Sequence, residues 1–305
     1  MPITALSRAV AFIKAGQNSD GGWGYRPAGK SFVEPTGLCL AALASSGETA
    51  ALGPGRRYLK ACQRESGAVG VDPQDADGGW MAYAALLGFR ALGAAAEEGR
   101  LRDWMLRFED ASKRFSASDI SAIKDRYGYD ASLPGWPWTP GTTGWVEPTA
   151  LFIVALVRSG VPTTEGRIKS GVDMIVDQRV RSGGWNYGNP RSGSHELEAS
   201  PMSTALALAA LAAANHPEDK LAVREGLRFA GRALAGDIST ASLAWTVLAL
   251  KSLKAGAALL PGAAARLAGL QAPDGGFRGN LYETALSAVI LDKPSLLIAK
   301  AGGAG

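Results

Sequence analysis

Two kinds of helical pattern alternate along the 305 residues. In the first, apolar positions recur at the helical period and charges fill the opposite face. Residues 164–178 are an example, with Ile168, Val172, Ile175 and Val176 at i, i+4, i+7 and i+8. Such a stripe predicts a helix with one face on a core and the other in water. In the second kind, at 35–46, 148–157, 201–214 and 241–250, apolar residues cover nearly the whole circumference, which predicts helices buried on both sides. Pro35, Pro148 and Pro201 fall in the first turn of three of them, where the missing N–H costs no hydrogen bond. The alternation predicts six pairs of outer and inner helices: 4–17 with 35–46, 55–64 with 78–93, 96–114 with 147–158, 164–178 with 200–214, 218–234 with 239–254, and 260–271 with 282–292. No segment sustains a period-two pattern, so the expected class is all-α.

Gly-Gly-aromatic recurs at Gly21-Gly22-Trp23, Gly78-Gly79-Trp80, Gly183-Gly184-Trp185 and Gly275-Gly276-Phe277, at separations of 57, 105 and 92 residues. If the two longer gaps each span two units, the period is about 51 residues, the size of a helical hairpin that buries its apolar face only by stacking on neighbours. Between 115 and 144 the chain leaves this pattern and carries Tyr127-Gly-Tyr129 and Pro134-Gly-Trp136-Pro-Trp138. An insertion of that length in a repeat domain is often functional, and here it is expected to cap one mouth of the assembly.

Glycine, at 39 residues, is well above the usual share of ~7% and fits a chain with many sharp turns. Lys plus Arg exceed Asp plus Glu by only four, and the signs are interspersed, which argues against a nucleic-acid surface. Cys39 and Cys62 are too few for a disulfide framework and point to a reducing, cytoplasmic setting. Arg8 and Lys14 interrupt the first apolar pattern, and no window reaches the ~18 apolar residues of a spanning helix. The expectation is a soluble protein, with a peripheral membrane contact left open and no oligomeric state predicted.

Gln17-Asn-Ser-Asp-Gly-Gly-Trp23 resembles the glutamine-tryptophan repeat of squalene hopene cyclase and its relatives, and Gln271-Ala-Pro-Asp-Gly-Gly-Phe277 is similar to it. Ser239-Thr-Ala-Ser-Leu-Ala-Trp245 resembles the Ser/Thr-rich start of an inner helix in those cyclases. The resemblance to the terpenoid cyclase and protein prenyltransferase toroids runs along nearly the whole chain. It implies an α/α toroid, a closed ring of about six hairpins with inner and outer helices, as one domain over 1–305. By themselves Trp23, Trp185 and Phe277 read as scaffold, since Gln can bond a helix end, paired glycines permit tight turns and Trp packs over them.

The prenyltransferase zinc site requires Asp, Cys and His, and a tight one uses a thiolate. Both cysteines lie in the first two repeats, and His195 and His216 read as exposed loop residues, so neither a metal nor another cofactor is expected. Class II terpene cyclases instead protonate an alkene or epoxide from an Asp-x-Asp-Asp motif at an inner-helix start. Pro73-Gln-Asp75-Ala-Asp77-Gly78 stands at such a place, with Asp77 as the expected donor and Asp75 as its partner, but Gly78 occupies the fourth position. The same residues also read as helix caps, or as a further copy of the glutamine-tryptophan repeat. Phe32-Val-Glu34-Pro-Thr36 and Trp145-Val-Glu147-Pro-Thr149 place duplicated carboxylates before inner helices, and Glu283 and the Glu196/Glu198 pair join the same candidate rim. An apolar small-molecule substrate would meet aromatic faces, which stabilise carbocations by up to ~2 kcal/mol when dry. Trp80, Tyr83, Trp136, Trp138, Trp145, Tyr187, Trp245 and Tyr282 are available. Because no convergent Arg/Lys set is visible, acid initiation is favoured over ionisation of a diphosphate. Two other classes stay open: a carbohydrate-active toroid that uses paired carboxylates and Trp platforms, and a non-catalytic module that binds a lipid or peptide.

Overall fold

A computed structural model of the chain describes residues 4–218 and 220–298. It divides into two compact units, one comprising Met1–Arg107 with Ala264–Leu297 and the other Phe108–Ala263 with Ile298–Gly305. In the first unit the outer helices are α1 (Ala5–Ala15), α3 (Leu52–Cys62) and α5 (Ala95–Arg107), and the inner helices are α2 (Val33–Ser46), α4 (Ala82–Ala91) and α13 (Leu281–Asp292). Helix α2 packs between α4 and α13, α1 rests on α2 and α13, and α3 lies against α2. In the second unit, α9 (Pro201–Ala213) packs between α7 (Val146–Arg158) and α11 (Thr240–Ser252), with α8 (Gly166–Asp177) and α10 (Leu221–Ala233) outside them. Helix α12 (Leu260–Gly269) precedes α13, and α6 (Ala117–Tyr127) lies in the insertion. Among the described residues, strand is confined to the hairpin of β1 (Arg191–Ser192) and β2 (His195–Glu196) and to isolated bridges.

The two hydropathy patterns thus sort as expected. Every residue from Val33 to Leu43, and from Val146 to Leu156, is buried. By contrast α8 buries only Ile168, Gly171, Met174 and Ile175. Among the described residues a helix stands at each of the twelve expected places, most boundaries within a few residues. The expected 96–114 is divided, with α5 ending at Arg107 before a short 3-10 turn at Ala111–Arg114, and α5 packs on α4.

At four of the inner helices one hydrogen bond joins the preceding loop to the helix. The backbone N–H of Trp23 donates to Thr36 Oγ1 at 2.9 Å, that of Trp136 to Thr149 at 2.8 Å, that of Trp185 to Thr204 at 3.0 Å and that of Phe277 to Thr284 at 2.8 Å. All eight residues are fully or almost fully buried, so each N–H left unpaired would carry its full desolvation cost. Trp136, expected to line a cavity, is therefore the aromatic of this scaffold. It is wholly enclosed, with the Arg167 guanidinium 3.8 Å from its ring centroid and Phe152 at 5.6 Å.

A second set of bonds joins several repeats to their successors. Gln17 Nε2 donates to its own loop at Gly21 O and across to Ala51 O, just before α3, both at 2.9 Å. Gln63 reaches Glu97 O in α5 at 3.0 Å, and Gln271 reaches Ala5 O in α1 at 2.8 Å. The first N–H of three inner helices acts in the same way: Val33 donates to Val71 O, Val146 to Tyr187 O and Leu281 to Tyr25 O. The last repeat therefore bonds the first as its successor. Gly21, at φ 88°, shows why glycine is required here, since a Cβ would meet Pro54 O of α3 at 2.5 Å.

These bonds also revise the repeat register. In the second repeat the turn is formed by Gln63-Arg-Glu-Ser-Gly67-Ala-Val69, with Arg64 N–H donating to Ala68 O as Asn18 N–H donates to Gly22 O. Val69 stands where Trp23 stands, and Gly78-Gly79-Trp80 is not that copy. Trp23 to Val69 is 46 residues and Trp185 to Phe277 is 92, so the period is nearer 46 than 51.

Thr36→Val keeps the side-chain volume but removes the acceptor for the Trp23 N–H, and is expected to lower unfolding free energy in urea by about 1–3 kcal/mol. Thr36→Ser retains the hydroxyl and is expected to cost less. Equal losses in the two variants would make the hydroxyl incidental.

Candidate active site

An α-helix turns 100° per residue, so a side chain two positions before the scaffold threonine points to nearly the opposite face of the helix. Because Thr36 faces the outer loop, Glu34 faces the neighbouring inner helices. Glu147 and Tyr282 hold the same position relative to Thr149 and Thr284. The aromatic-to-threonine bond therefore aims Glu34, Glu147 and Tyr282 inward from their helix starts.

Glu34 is only 5% exposed. The phenol of Tyr25 donates to its Oε2 at 2.6 Å and that of Tyr83 donates to its Oε1, also at 2.6 Å. Tyr25 comes from the loop after α1, Glu34 from the first turn of α2 and Tyr83 from α4. Tyr25 packs edge-on to Tyr282 of α13, with centroids 6.1 Å apart, and Trp80 stacks on Tyr83 at 6.4 Å. Tyr83 is wholly buried, whereas Tyr25, Trp80 and Tyr282 are half-buried and form the accessible side of the cluster.

Burial pushes the Glu34 carboxyl up to about 7, and the two phenol hydrogen bonds oppose that rise by favouring the carboxylate. Burial and the adjacent Glu34 charge hold both tyrosines well above their ordinary range, so they remain O–H donors. The result is a dry carboxyl group that exchanges its proton near neutral pH. Its conjugate base is already provided with two hydrogen bonds.

The second Val-Glu-Pro-Thr motif lies in the other unit. Glu147 is 8% exposed, accepts a hydrogen bond from Ser203 Oγ at 2.7 Å and is raised by burial. Beside it in sequence, Trp145 is half-buried at the start of α7, and Tyr187 is 61% exposed. Trp138 is half-buried in the preceding loop, whereas Trp245 is completely enclosed within α11. Glu283, next to Tyr282 in the first turn of α13, is half-buried, and its backbone N–H is capped by Asn280.

Asp75 and Asp77 do not have the dry setting expected of an acid donor. Asp77 is exposed. The Asp75 carboxylate accepts the backbone N–H groups of Val71 at 2.8 Å and Asp77 at 3.1 Å, and so shapes its own turn. Neither caps α4, whose N-cap is Met81. Glu196 and Glu198 are exposed around β2, as is His195. Cys39 and Cys62 are buried, and burial pushes the Cys62 thiol up to about 12. Among the described residues, no three His, Cys, Asp or Glu side chains gather into a metal-binding group, and no helix is long and apolar enough to cross a membrane.

No known family's sequence pattern matches the chain, and no curated protein matches it in sequence. Solved structures do. The chain is similar over 96% of its length to a variant of the type II terpene cyclase MstE from Scytonema, bound to its substrate geranylgeranyl dihydroxybenzoate, covering 95% of that chain at a TM-score of 0.61 and 17% identity. It is also similar over 95% of its length to an α-amylase from Clostridium perfringens, covering 98% of that chain at a TM-score of 0.63 and 11% identity. An inactive variant of an α-1,6-mannanase from a Salegentibacter species, bound to α-1,6-mannotriose, matches 96% of this chain and 98% of its own at a TM-score of 0.61 and 12% identity. At these identities the likeness establishes the fold, an all-helical α/α toroid. The terpenoid cyclase resemblance read from the glutamine-tryptophan repeat holds at that level.

The raised Glu34 carboxyl has a consequence for stability. Below its ordinary value of 4.5 it is protonated in folded and unfolded chains alike. Between 4.5 and about 7 only the folded chain keeps the proton, so stability falls as pH rises through that window, by on the order of 3 kcal/mol from this group. Glu34→Gln removes the ionisation. Urea unfolding from pH 5 to pH 8 is expected to show the variant gaining on wild type as pH rises, and parallel curves would refute the raised carboxyl.

Proposed function

We propose that this protein is an acid-initiating isomerase of isoprenoid or similar apolar substrates, and that Glu34 is the proton donor. The observation that carries the reading is the Glu34 carboxyl itself, 5% exposed, poised near pH 7 and held by two phenols at 2.6 Å. A general acid works best when its pKa lies near the working pH, because it then carries a proton and still releases it readily.

In this reading the Glu34 proton passes to one carbon of a substrate alkene, or to an epoxide oxygen, leaving a carbocation on the substrate and a carboxylate on Glu34. Tyr25 and Tyr83 stabilise that carboxylate through the hydrogen bonds they already make. Ring closure by a second alkene moves the positive charge along the substrate, and loss of a proton at the end restores neutrality, so no other reactant is consumed. The faces of Trp80, Tyr282 and Tyr25 supply the aromatic surface that favours a cation over water. Half-buried Tyr25 also links the buried carboxyl to solvent, from which the proton is replaced. The assignment replaces Asp77 with Glu34 because an exposed carboxylate hands its proton to water, not to an alkene.

The amylase and mannanase structures share the fold; in this chain Trp23, Trp136, Trp185 and Trp245 are enclosed, which leaves only the half-buried Trp80, Trp104, Trp138 and Trp145 to face a sugar. The test is to incubate wild type, Glu34→Gln and Asp77→Asn with squalene, its epoxide and geranylgeraniol, with starch and α-mannan in parallel. Cyclised products from wild type and Asp77→Asn are expected, with a loss of at least ~100-fold in Glu34→Gln. Undiminished turnover in Glu34→Gln would remove the acid from the proposal. Sugar release without cyclisation would replace the substrate class.

A further inference from the structure

The geometry points to a binding site for a phosphoryl anion in the second unit, separate from the Glu34 cluster and resting on different residues. A cavity of about 410 Å³ beside α3 is lined by Asp20 and Asp72 as well as Lys30 and Arg57, and the Lys30–Asp72 ion pair at 2.6 Å leaves it with no preferred sign of ligand. The cavity beside the β1–β2 hairpin is different. It measures about 350 Å³ and is lined by Arg179, Arg181, Arg191, Ser194 and Glu196, with Gly128 and Pro190 closing it. Sequence spacing did not reveal this convergent arginine set, because the hairpin brings Arg191 back beside residues that precede it by ten and more.

Local structure fixes two of the three guanidinium groups. Arg179 is ion-paired with Glu225 of α10. Arg191 donates through Nη2 to Lys124 O near the end of α6 at 3.0 Å, a bond to a neutral carbonyl, and Glu196 stands opposite it across the β1–β2 pair. Gly128, at φ 85°, lets the backbone pass close beside the Arg191 side chain, and Gly193 N–H ties the hairpin turn to Arg126 O at 2.8 Å. Arg181 is exposed and makes no hydrogen bond or ion pair among the described residues. Ser194 adds a hydroxyl at the rim.

Glu196 is the one carboxylate on the wall, and its Oε1 is committed to the Ser182 backbone N–H at 2.6 Å. The lining thus holds three cations against one anion, with Arg179 alone shared with a carboxylate outside it. A carboxylate ligand presents two oxygens and satisfies one planar guanidinium fork. Several forks around one volume call for a group with more oxygens, which is the property of phosphate and, more so, of diphosphate.

The experiment is calorimetric titration of the full chain with inorganic pyrophosphate, alongside co-sedimentation with phosphatidylcholine vesicles containing phosphatidic acid. The first arm reads a free phosphoryl ligand and the second a lipid headgroup. Binding in either arm that weakens at least about tenfold in Arg181→Gln supports the site and identifies the source. Glu196→Gln, which keeps an acceptor for Ser182, is expected to tighten binding. Arg228→Gln, an exposed arginine on α10 outside the cavity, is expected to leave it unchanged. No binding in either arm, or equal weakening by Arg181→Gln and Arg228→Gln, would overturn the proposal.

Discussion

The hydrogen bond from a loop aromatic's backbone N–H to an inner-helix threonine is the constraint on which the rest of the structure depends. It recurs at Thr36, Thr149, Thr204 and Thr284, always in the dry interior. The bond fixes the rotation of each of these four inner helices about its own axis, because a buried N–H left unpaired costs more than most local rearrangements recover. With rotation fixed, the residue two positions earlier has no choice of direction. Glu34 is buried among tyrosines as a consequence of where Thr36 must point.

Motif and chemistry separate at this position. Val-Glu-Pro-Thr occurs twice, with the same proline in the first helical turn and the same threonine bond, and both glutamates are buried and raised. Their partners differ. Glu147 has a serine hydroxyl, whereas Glu34 has two phenols and further ring faces beyond them. A carboxyl that must release its proton benefits from two donors waiting for the anion, so the surroundings, not the motif, distinguish the candidate acid from its copy.

The helix pairs were legible because hydropathy periodicity reports burial directly: α2, α7, α9 and α11 are apolar all round and are buried all round. The site was legible only in part. Glu34, Tyr83 and Tyr282 could each be nominated from inner-helix starts, but Tyr83 lies 49 residues from Glu34 in sequence, and Tyr25 sits in a loop where no periodicity applies. Asp75 departs from the expected setting for a local reason, since Asp favours turns by bonding backbone N–H groups two and more residues away, and its carboxylate does so here. Val69 hid the second turn because valine fills the buried apolar position there without an aromatic to mark the place.

Gln271 and Leu281 bond Ala5 and Tyr25 in the same way that earlier repeats bond their successors. An open stack of repeats must spend its end units on capping, since each end leaves one apolar face and one set of backbone groups without a neighbour. Here the final hairpin finds those partners in the opening one, and sequence order is separate from spatial order at that junction. Evolution or a protein engineer could therefore cut the polypeptide in an exposed loop such as the glycine turn at Gly47, rejoin it elsewhere, and retain the same set of neighbouring hairpins.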